Sequence, residues 1–385
     1  DIPCIRVTDV RKAQSLAARW FYDNPSDSLT LIGVTGTKGK TTTSYMIQAV
    51  TNALAGRTMG LSSSAGRYCG GPDVDTHLTT PESLDLQWLF AQARDHGLPY
   101  MTAEVSSQAY QVERVYGEHF DIGVFLNFSE DHISPKEHAS MEEYLQCKLQ
   151  LLENSGRAVI CRETAQFDRV YDTARRCCRE VMLVGMDRDD CDLTVRQVEK
   201  LTHGFRFFVQ ERGSEALHPY HLAMDGDFNI ENALAAIGVG RMLGAGHEQM
   251  AAALDALEVP GRMNRYEGGG VHVLEKRDAH GRPQPREQKL HAAELHPVAR
   301  CTEVVDDQNV HGKAHRAHEY EQVARGEAEA ALDAQQVQGY DRQRDRDPYR
   351  QADLAPEKQA EHLSLIHISE PTETSQDLVC RLLLE

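Results

Sequence analysis

The stretch Gly36-Thr37-Lys38-Gly39-Lys40-Thr41-Thr42 concentrates the residue types that handle phosphate. A phosphate chain needs backbone N–H groups aimed inward, and Gly36 and Gly39 let the main chain come close enough to aim them. Lys40 adds a point charge, and the Thr41 hydroxyl can ligate the magnesium that accompanies ATP. An apolar, β-branched run (Leu29, Leu31, Ile32, Val34) precedes the loop, and Thr43 and Ser44 lead from it into Tyr45, Met46, Ile47 and Val50. Strand, glycine loop and helix in that order point the positive end of a helix dipole at the anion. The pattern is that of a nucleotide triphosphate site. It matches the common G-x-x-x-x-G-K-[ST] form only in its second half, because Val34 stands where the first glycine would be.

The elements that position this loop are readable around it. Cys4 to Val7 reads as a short strand, Asp9 to Tyr22 as a helix and Asn24-Pro25-Ser26-Asp27 as a turn. Thr58 to Gly70 is small and glycine-rich, a loop over a ligand. Thr80 is expected to cap a helix with Pro81 in its first turn, ending near Gly97. Tyr100 to Val105 and Phe120 to Phe128 read as strands, the second apolar enough to be buried on both faces. Strands alternating with helices about a dozen residues apart imply an α/β fold, a doubly wound, mostly parallel sheet with ligands at the carboxyl ends of its strands. The loop, Glu104 and Asn127 all fall at such ends. Arg157 to Cys161 and Val181 to Val184 continue the sheet, and Leu193 to Gln210 reads as a hairpin around His203-Gly204. Amphipathic helices are expected from Phe228 and from His247.

Met141 to Glu153 reads as a helix that places Lys148 in line with Met141, Tyr144, Leu145 and Leu152. A lysine there must either reach past its neighbours to water or hold a charge partner, since burying it unpaired is expensive.

A length of 385 residues would ordinarily hold two or three domains, and 41% hydrophobic residues suffice for a core. The net charge of −18 argues against nucleic acid, which needs a basic face. Nine cysteines without metal-ligand spacing fit a reducing cytoplasm. No apolar run approaches a membrane span, and the N-terminus has no signal-peptide pattern.

Seven phrases in order, VTGTKGKTTT, TTPE, AEVSSQAYQVERV, FDIGVFLNFSEDH, MEEYLQCK, FNIENALAA and VPGRM, resemble the Mur ligase family, specifically its UDP-N-acetylmuramoyl-tripeptide synthetase branch, from about Leu29 to Leu274. The resemblance implies a ligase that activates a carboxylate of a UDP-muramoyl peptide with ATP as an acyl phosphate, which an amino acid then converts to an amide. It implies that Lys40 and the loop amides hold the β- and γ-phosphates and that Thr41 and Glu104 fix one Mg2+. His132 would fix a second Mg2+ with Lys148, which the family carbamylates, and Asn127 would support the γ-phosphate. Asn229, Asn232 and Arg262 would lie beside the adenine and phosphates, and Thr79, Thr80, Ser106 and Arg114 would hold the muramoyl peptide, Arg114 as a carboxylate clamp. Gln108 stands where this branch often has histidine.

The resemblance implies a central ATP-binding domain over 29–268, preceded by the remnant of an N-terminal domain over 1–28 and followed at 269–274 by the start of a truncated C-terminal one. From Glu275 to Glu361 there is no Ile, Phe, Met, Trp or Ser and no period, so 275–361 is expected to be irregular or disordered, as from a wrong reading frame. Within 362–385, LSLIHISEPT and DLVCRLLLE back-translate into DNA resembling a sequencing adapter. The expected partners are a UDP-N-acetylmuramoyl peptide and an amino acid, with no nucleic acid or membrane and a monomeric, cytoplasmic chain. The chain as written is expected not to complete the amide bond, and the rival readings are a folylpolyglutamate synthetase-like ligase, which TTPE and Arg114 disfavour, and a non-catalytic ATP-binding fragment.

Overall fold

The computed structural model describes residues 4–72, 78–130, 138–260, 262–268, 271–276, 290–292 and 378–381, with side chains over 6–72, 78–130 and 138–260. The chain divides into two units. Asp1–Cys4, Glu294–Ser369 and Arg381–Glu385 form one, almost wholly outside the described residues, and Ile5–Ala293 with Glu370–Cys380 form the other, which carries the fold.

The elements follow in chain order: β1 (Cys4–Val7), α1 (Val10–Phe21), a 3-10 turn (Pro25–Ser28), β2 (Thr30–Thr35), α2 (Lys40–Ala55), β3 (Gly60–Ser62), β4 (Arg67–Tyr68) and α3 (Ser83–Asp95). Next come β5 (Tyr100–Glu104), α4 (Ser107–Gln111), β6 (Phe120–Phe125), α5 (Met141–Glu153), β7 (Ser155–Cys161), α6 (Phe167–Cys177) and β8 (Glu180–Met186). Then follow β9 (Leu193–Lys200), β10 (Phe205–Glu211), β11 (Leu217–Leu222), α7 (Phe228–Met242), α8 (His247–Asp255), β12 (Arg262–Gly268), β13 (Val271–Lys276), β14 (Leu290–Ala292) and β15 (Leu378–Arg381).

Ten strands form one sheet in the order β11-β10-β9-β8-β7-β6-β2-β5-β3-β4, parallel from β9 to β3, with antiparallel strands at both ends. The order switches at β2, which pairs β5 on one side and β6 on the other. A crevice at the carboxyl end of β2 is where such a sheet takes its ligand. Strand alternation splits the core: Ile32, Val34, Ile122 and Val124 pack with α2 and α7, while Leu31 and Met101 pack with α3 and α5.

Several expectations shift. α3 starts at Ser83 with Glu82 as its N-cap, not Thr80, because the Thr80 hydroxyl donates to the Glu104 carbonyl at 2.9 Å and is lost to capping. β6 stops at Phe125, since the chain then turns to brace the phosphate loop. α7 is buried nearly all round rather than amphipathic, lying between α2 and the sheet. The hairpin β9–β10 gains a third strand, β11, which its mixed sequence LHPYHL did not advertise.

α1 lies against α3 within the unit that carries the fold. Short strands do occur in the stretches expected to be irregular: β13 pairs with β12 and β14, and β15 with β1. The rest of 275–361 and of 362–385 lies outside the described residues, as do Asp131–Glu137. Among the described residues no helix is long and apolar enough to cross a membrane. The six described cysteines are free, and burial pushes the Cys147 thiol up to about 11, which makes it inert.

Candidate nucleotide-binding site

The phosphate loop leaves β2 at Thr35 and re-enters a helix at Lys40. Gly39, at φ +87°, occupies the left-handed region that glycine adopts without strain, and a Cβ there would run into the Asn232 carboxamide oxygen of α7. Asn127 clamps the loop from the neighbouring strand end. Its Oδ1 accepts from the Lys38 N–H at 2.9 Å, its Nδ2 donates to the Lys38 carbonyl at 3.1 Å, and its own carbonyl accepts from the Thr37 N–H at 2.9 Å. Asn127 therefore holds the loop's main chain, a more specific placement than general support near the γ-phosphate. The Thr37 hydroxyl accepts from the Ser129 N–H at 3.1 Å and from the Tyr144 hydroxyl at 3.2 Å. Thr42 is buried on α2, and Lys38 points outward.

Two lysines converge on one carbonyl. Lys40 Nζ donates to the Gly36 and Thr37 carbonyls at 3.0 and 3.3 Å, and Lys148 Nζ donates to the Gly36 carbonyl at 2.8 Å. Lys148 is only 2% exposed, so it does not reach past its neighbours to water. Its Nζ sits 4.5 Å from the centroid of the Tyr144 ring, a cation–π arrangement. The reach is possible because α5 packs tightly on β2 at Gly33, where a Cβ would meet Leu151 Cδ1 at 2.7 Å and Phe120 Cδ1 at 2.8 Å. A side chain at residue 33 would push α5, and Lys148 with it, away from the loop.

Glu104 ends β5 opposite Val34 and is 1% exposed. Its Oε1 accepts from the Ser64 N–H at 2.9 Å and its Oε2 from the Thr41 hydroxyl at 3.2 Å, while Thr41 and Ser64 share a hydroxyl contact at 2.8 Å. Burial pushes the Glu104 carboxyl up, opposed by the Lys40 charge and by hydrogen bonds from Ser64, Ser63 and Thr41. A buried carboxylate beside two hydroxyls is an all-oxygen donor set that suits a hard divalent cation, and such a cation would offset the burial of its charge. Of the expected metal set, Thr41 and Glu104 meet here and Lys148 reaches the same loop through Gly36. His132 lies outside the described residues. Among the described residues no three His, Cys, Asp or Glu side chains converge.

On the other side of Glu104, the Thr80 hydroxyl accepts from the Ser106 N–H at 3.0 Å and lies 3.3 Å from the Ser106 hydroxyl. Thr79 makes no side-chain hydrogen bond among the described residues and is half-buried. Arg114 Nε donates to Glu82 at 2.9 Å and its NH1 to the Thr80 carbonyl at 3.4 Å. Asn229 donates to the Asp225 carbonyl at 2.8 Å and accepts from Asn232 at 3.1 Å, and the Asn232 carboxamide stands against Gly39 of the loop. Arg262 lies in β12, its side chain outside the described residues. Sequence reasoning missed Ser64, Tyr144 and the buried His138, whose Nε2 is 2.8 Å from the Ser107 hydroxyl. The regular spacing of Tyr144 on α5 marked it only as core.

A glycine loop joining a central parallel strand to a helix, with an acid and a hydroxyl at its mouth, defines a phosphate-binding-loop α/β domain. The chain belongs to the Mur ligase family, whose middle domain matches residues 34–240. It is 41% identical over 269 residues to a UDP-N-acetylmuramyl-tripeptide synthetase of Bifidobacterium longum, covering 69% of this chain and 52% of that protein. It is 38% identical over 266 residues to the UDP-N-acetylmuramoyl-L-alanyl-D-glutamate–L-lysine ligase of Enterococcus faecalis, covering 67% and 51%. The chain thus spans about half the length of the curated relatives it matches. Its fold is similar to a solved UDP-N-acetylmuramoyl-L-alanyl-D-glutamate–2,6-diaminopimelate ligase, with TM-score 0.60, 21% identity, and 68% and 54% of the two chains covered. A folylpolyglutamate synthase of Mycobacterium tuberculosis also shares the fold, with TM-score 0.53, 17% identity, and 69% and 67% covered.

Proposed function

We propose that this chain carries the ATP-binding part of a ligase that adds an amino acid to a UDP-N-acetylmuramoyl dipeptide through an acyl phosphate. The observation that carries this reading is the meeting of Thr41 and Glu104, 3.2 Å apart, at the mouth of a glycine loop whose carbonyls already hold Lys40. Lys40 would move from those carbonyls to the terminal phosphates, with the amides of Gly36 to Thr42 and the α2 dipole completing the cradle. Asn229 and Asn232 would flank the nucleotide from α7, with Arg262 beside them. Thr41 and Glu104, with Lys148 and His132, would hold Mg2+, which when bound neutralises charge on the transferring phosphoryl group.

The peptide carboxylate, held by Arg114, Thr80, Ser106 and Thr79, attacks the γ-phosphorus, and the bond to the β-phosphate oxygen breaks to release ADP. The amine of the amino acid then attacks the acyl carbon, phosphate leaves, and the amine's proton passes to solvent. For Lys148 to serve as an oxygen ligand, its amine lone pair attacks the carbon of CO2. One C=O pair moves to oxygen, and a proton leaves to solvent. Burial beside the loop carbonyl supports that role, because a solvated lysine would have no reason to be there. The place of such a reaction is the cytoplasm, where ATP and the precursor peptides are.

The test is phosphate release from Mg-ATP by the full chain, with and without UDP-N-acetylmuramoyl-L-alanyl-D-glutamate, alongside 13C-bicarbonate NMR for a carbamate that Lys148→Ala removes. Stimulation by the UDP-dipeptide is expected. Stimulation by a folate substrate instead, or none by either, contradicts the reading.

A further inference from the structure

Arg114 is held in a bonded cluster that reaches beyond the residues the family match covers. Glu82 Oε1 accepts from Arg114 Nε at 2.9 Å and from NH2 at 2.7 Å, so one carboxylate oxygen takes the side-on edge of the guanidinium. The third nitrogen, NH1, lies 3.4 Å from the Thr80 carbonyl. The Arg114 guanidinium is planar and forked, so contacts from Glu82 on one edge and from the Thr80 carbonyl on another nitrogen fix its plane. The residue before it, Glu113, has φ +59°, a left-handed conformation that a side chain other than glycine adopts only when its surroundings enforce it.

The surroundings that enforce it come from α1. The buried Ser15 hydroxyl donates to the Glu113 carbonyl and lies 2.6 Å from the Ser83 hydroxyl, next to Glu82. Lys12 lies 3.5 Å from the Glu113 carboxylate, and Arg11 lies 3.5 Å from Glu82 Oε2. One helix thus touches the neighbours of both members of the Glu82–Arg114 pair.

We propose that Glu82 is the positioning residue for Arg114 and that Ser15 of α1 sets the spacing between them, so that the guanidinium meets the carboxylate of an acidic peptide at a fixed angle. The inference rests on the reading above that Arg114 receives a peptide carboxylate. Glu82 touches no substrate in this scheme and acts only through the arginine.

The experiment is calorimetric titration of the full chain with UDP-N-acetylmuramoyl-L-alanyl-D-glutamate, and separately with Mg-ATP. Arg114→Ala is expected to weaken peptide binding about 100-fold, Glu82→Ala about tenfold and Ser15→Ala about threefold, the scale of charge-assisted bonds lost or misaimed. Glu82→Gln, which keeps an acceptor oxygen, recovers part of the loss. Mg-ATP affinity stays within about twofold in all four variants, which separates positioning from general damage to the fold. The Glu82→Ala effect is expected to vanish in the Arg114→Ala background. Unchanged or tighter peptide binding by Glu82→Ala, with Arg114→Ala still weak, overturns the positioning role. No loss in Arg114→Ala, or no binding by the parent chain, overturns the substrate reading and the inference with it.

Discussion

Around the phosphate loop the groups proposed to meet ligand are mostly main chain, gathered within a few residues of one another, whereas between Thr80 and Arg114 the proposed contacts are side chains delivered by β5, α4 and the approach to α3. The loop needs one left-handed glycine, one helix start and an asparagine clamp. The proposed peptide side needs Glu82, Thr80, Ser106 and Arg114 brought together across up to 34 positions of sequence, with α1 packed against α3. The first arrangement is shaped by local backbone chemistry, with Asn127 bracing it from a distant strand end, and tolerates little substitution. The second depends on tertiary packing, so its single members are replaceable at graded cost.

The two halves of the site should separate most at Lys40. Lys40→Ala is expected to weaken Mg-ATP binding about 100-fold or more, since it removes the inward charge and its charge-assisted bonds, while UDP-dipeptide affinity changes little. A calorimetric titration reads both, and equal losses on the two sides would erase the distinction. Gly39→Ala is next, forcing a Cβ into a left-handed turn and against Asn232. It should cost about 2 kcal/mol of stability, seen as a lower urea midpoint. A neutral result would show that the loop has another conformation available.

Thr80→Val keeps shape and removes the hydroxyl that ties the start of α3 to the end of β5. About 1 kcal/mol of stability is expected to go, together with some peptide affinity, but no nucleotide affinity. The smallest effect lies in neither half of the site. His247 of α8 stacks on His218 with ring centroids 3.7 Å apart and bonds Tyr220 and Glu211. Burial lowers its proton affinity below the ordinary histidine value of 6.5, Glu211 partly restores it, and His218 lowers it further. The unfolded chain therefore binds a proton that the native chain refuses, and stability falls as pH drops through about 6.5 toward the lowered native value. His247→Gln should flatten that slope in urea melts between about pH 7.5 and 5.5 without altering ATP binding. An unchanged slope would place the acid sensitivity elsewhere.

The sequence made the first region legible and much of the second only by resemblance. Glycine spacing, a β-branched run and a polar helix start are local signals, so β2, the loop and α2 were readable residue by residue. Lys148 was readable as an anomaly on an apolar stripe, although not as a donor to Gly36, because nothing in α5 records that Gly33 lets the helix close in. Thr80 reads as a cap because threonine before proline signals a helix start, and only the fold shows its hydroxyl taken by β5. Glu82 and Glu113 fall within the phrases TTPE and AEVSSQAYQVERV, but nothing in those phrases marks the one as the partner of Arg114 or the other as left-handed, and Ser15 reads only as a helical serine. The strand β11 was missed for a related reason: its polar edge residues do not alternate.

The most direct measurement is a crystal structure of the chain with Mg2+ and a non-hydrolysable ATP analogue. The expected result places the terminal phosphates against the amides of Gly36 to Thr42, with Lys40 Nζ moved from the Gly36 and Thr37 carbonyls onto them and the metal on Thr41 and Glu104. A nucleotide bound elsewhere, or Lys40 still on those carbonyls with the metal away from Glu104, would contradict it.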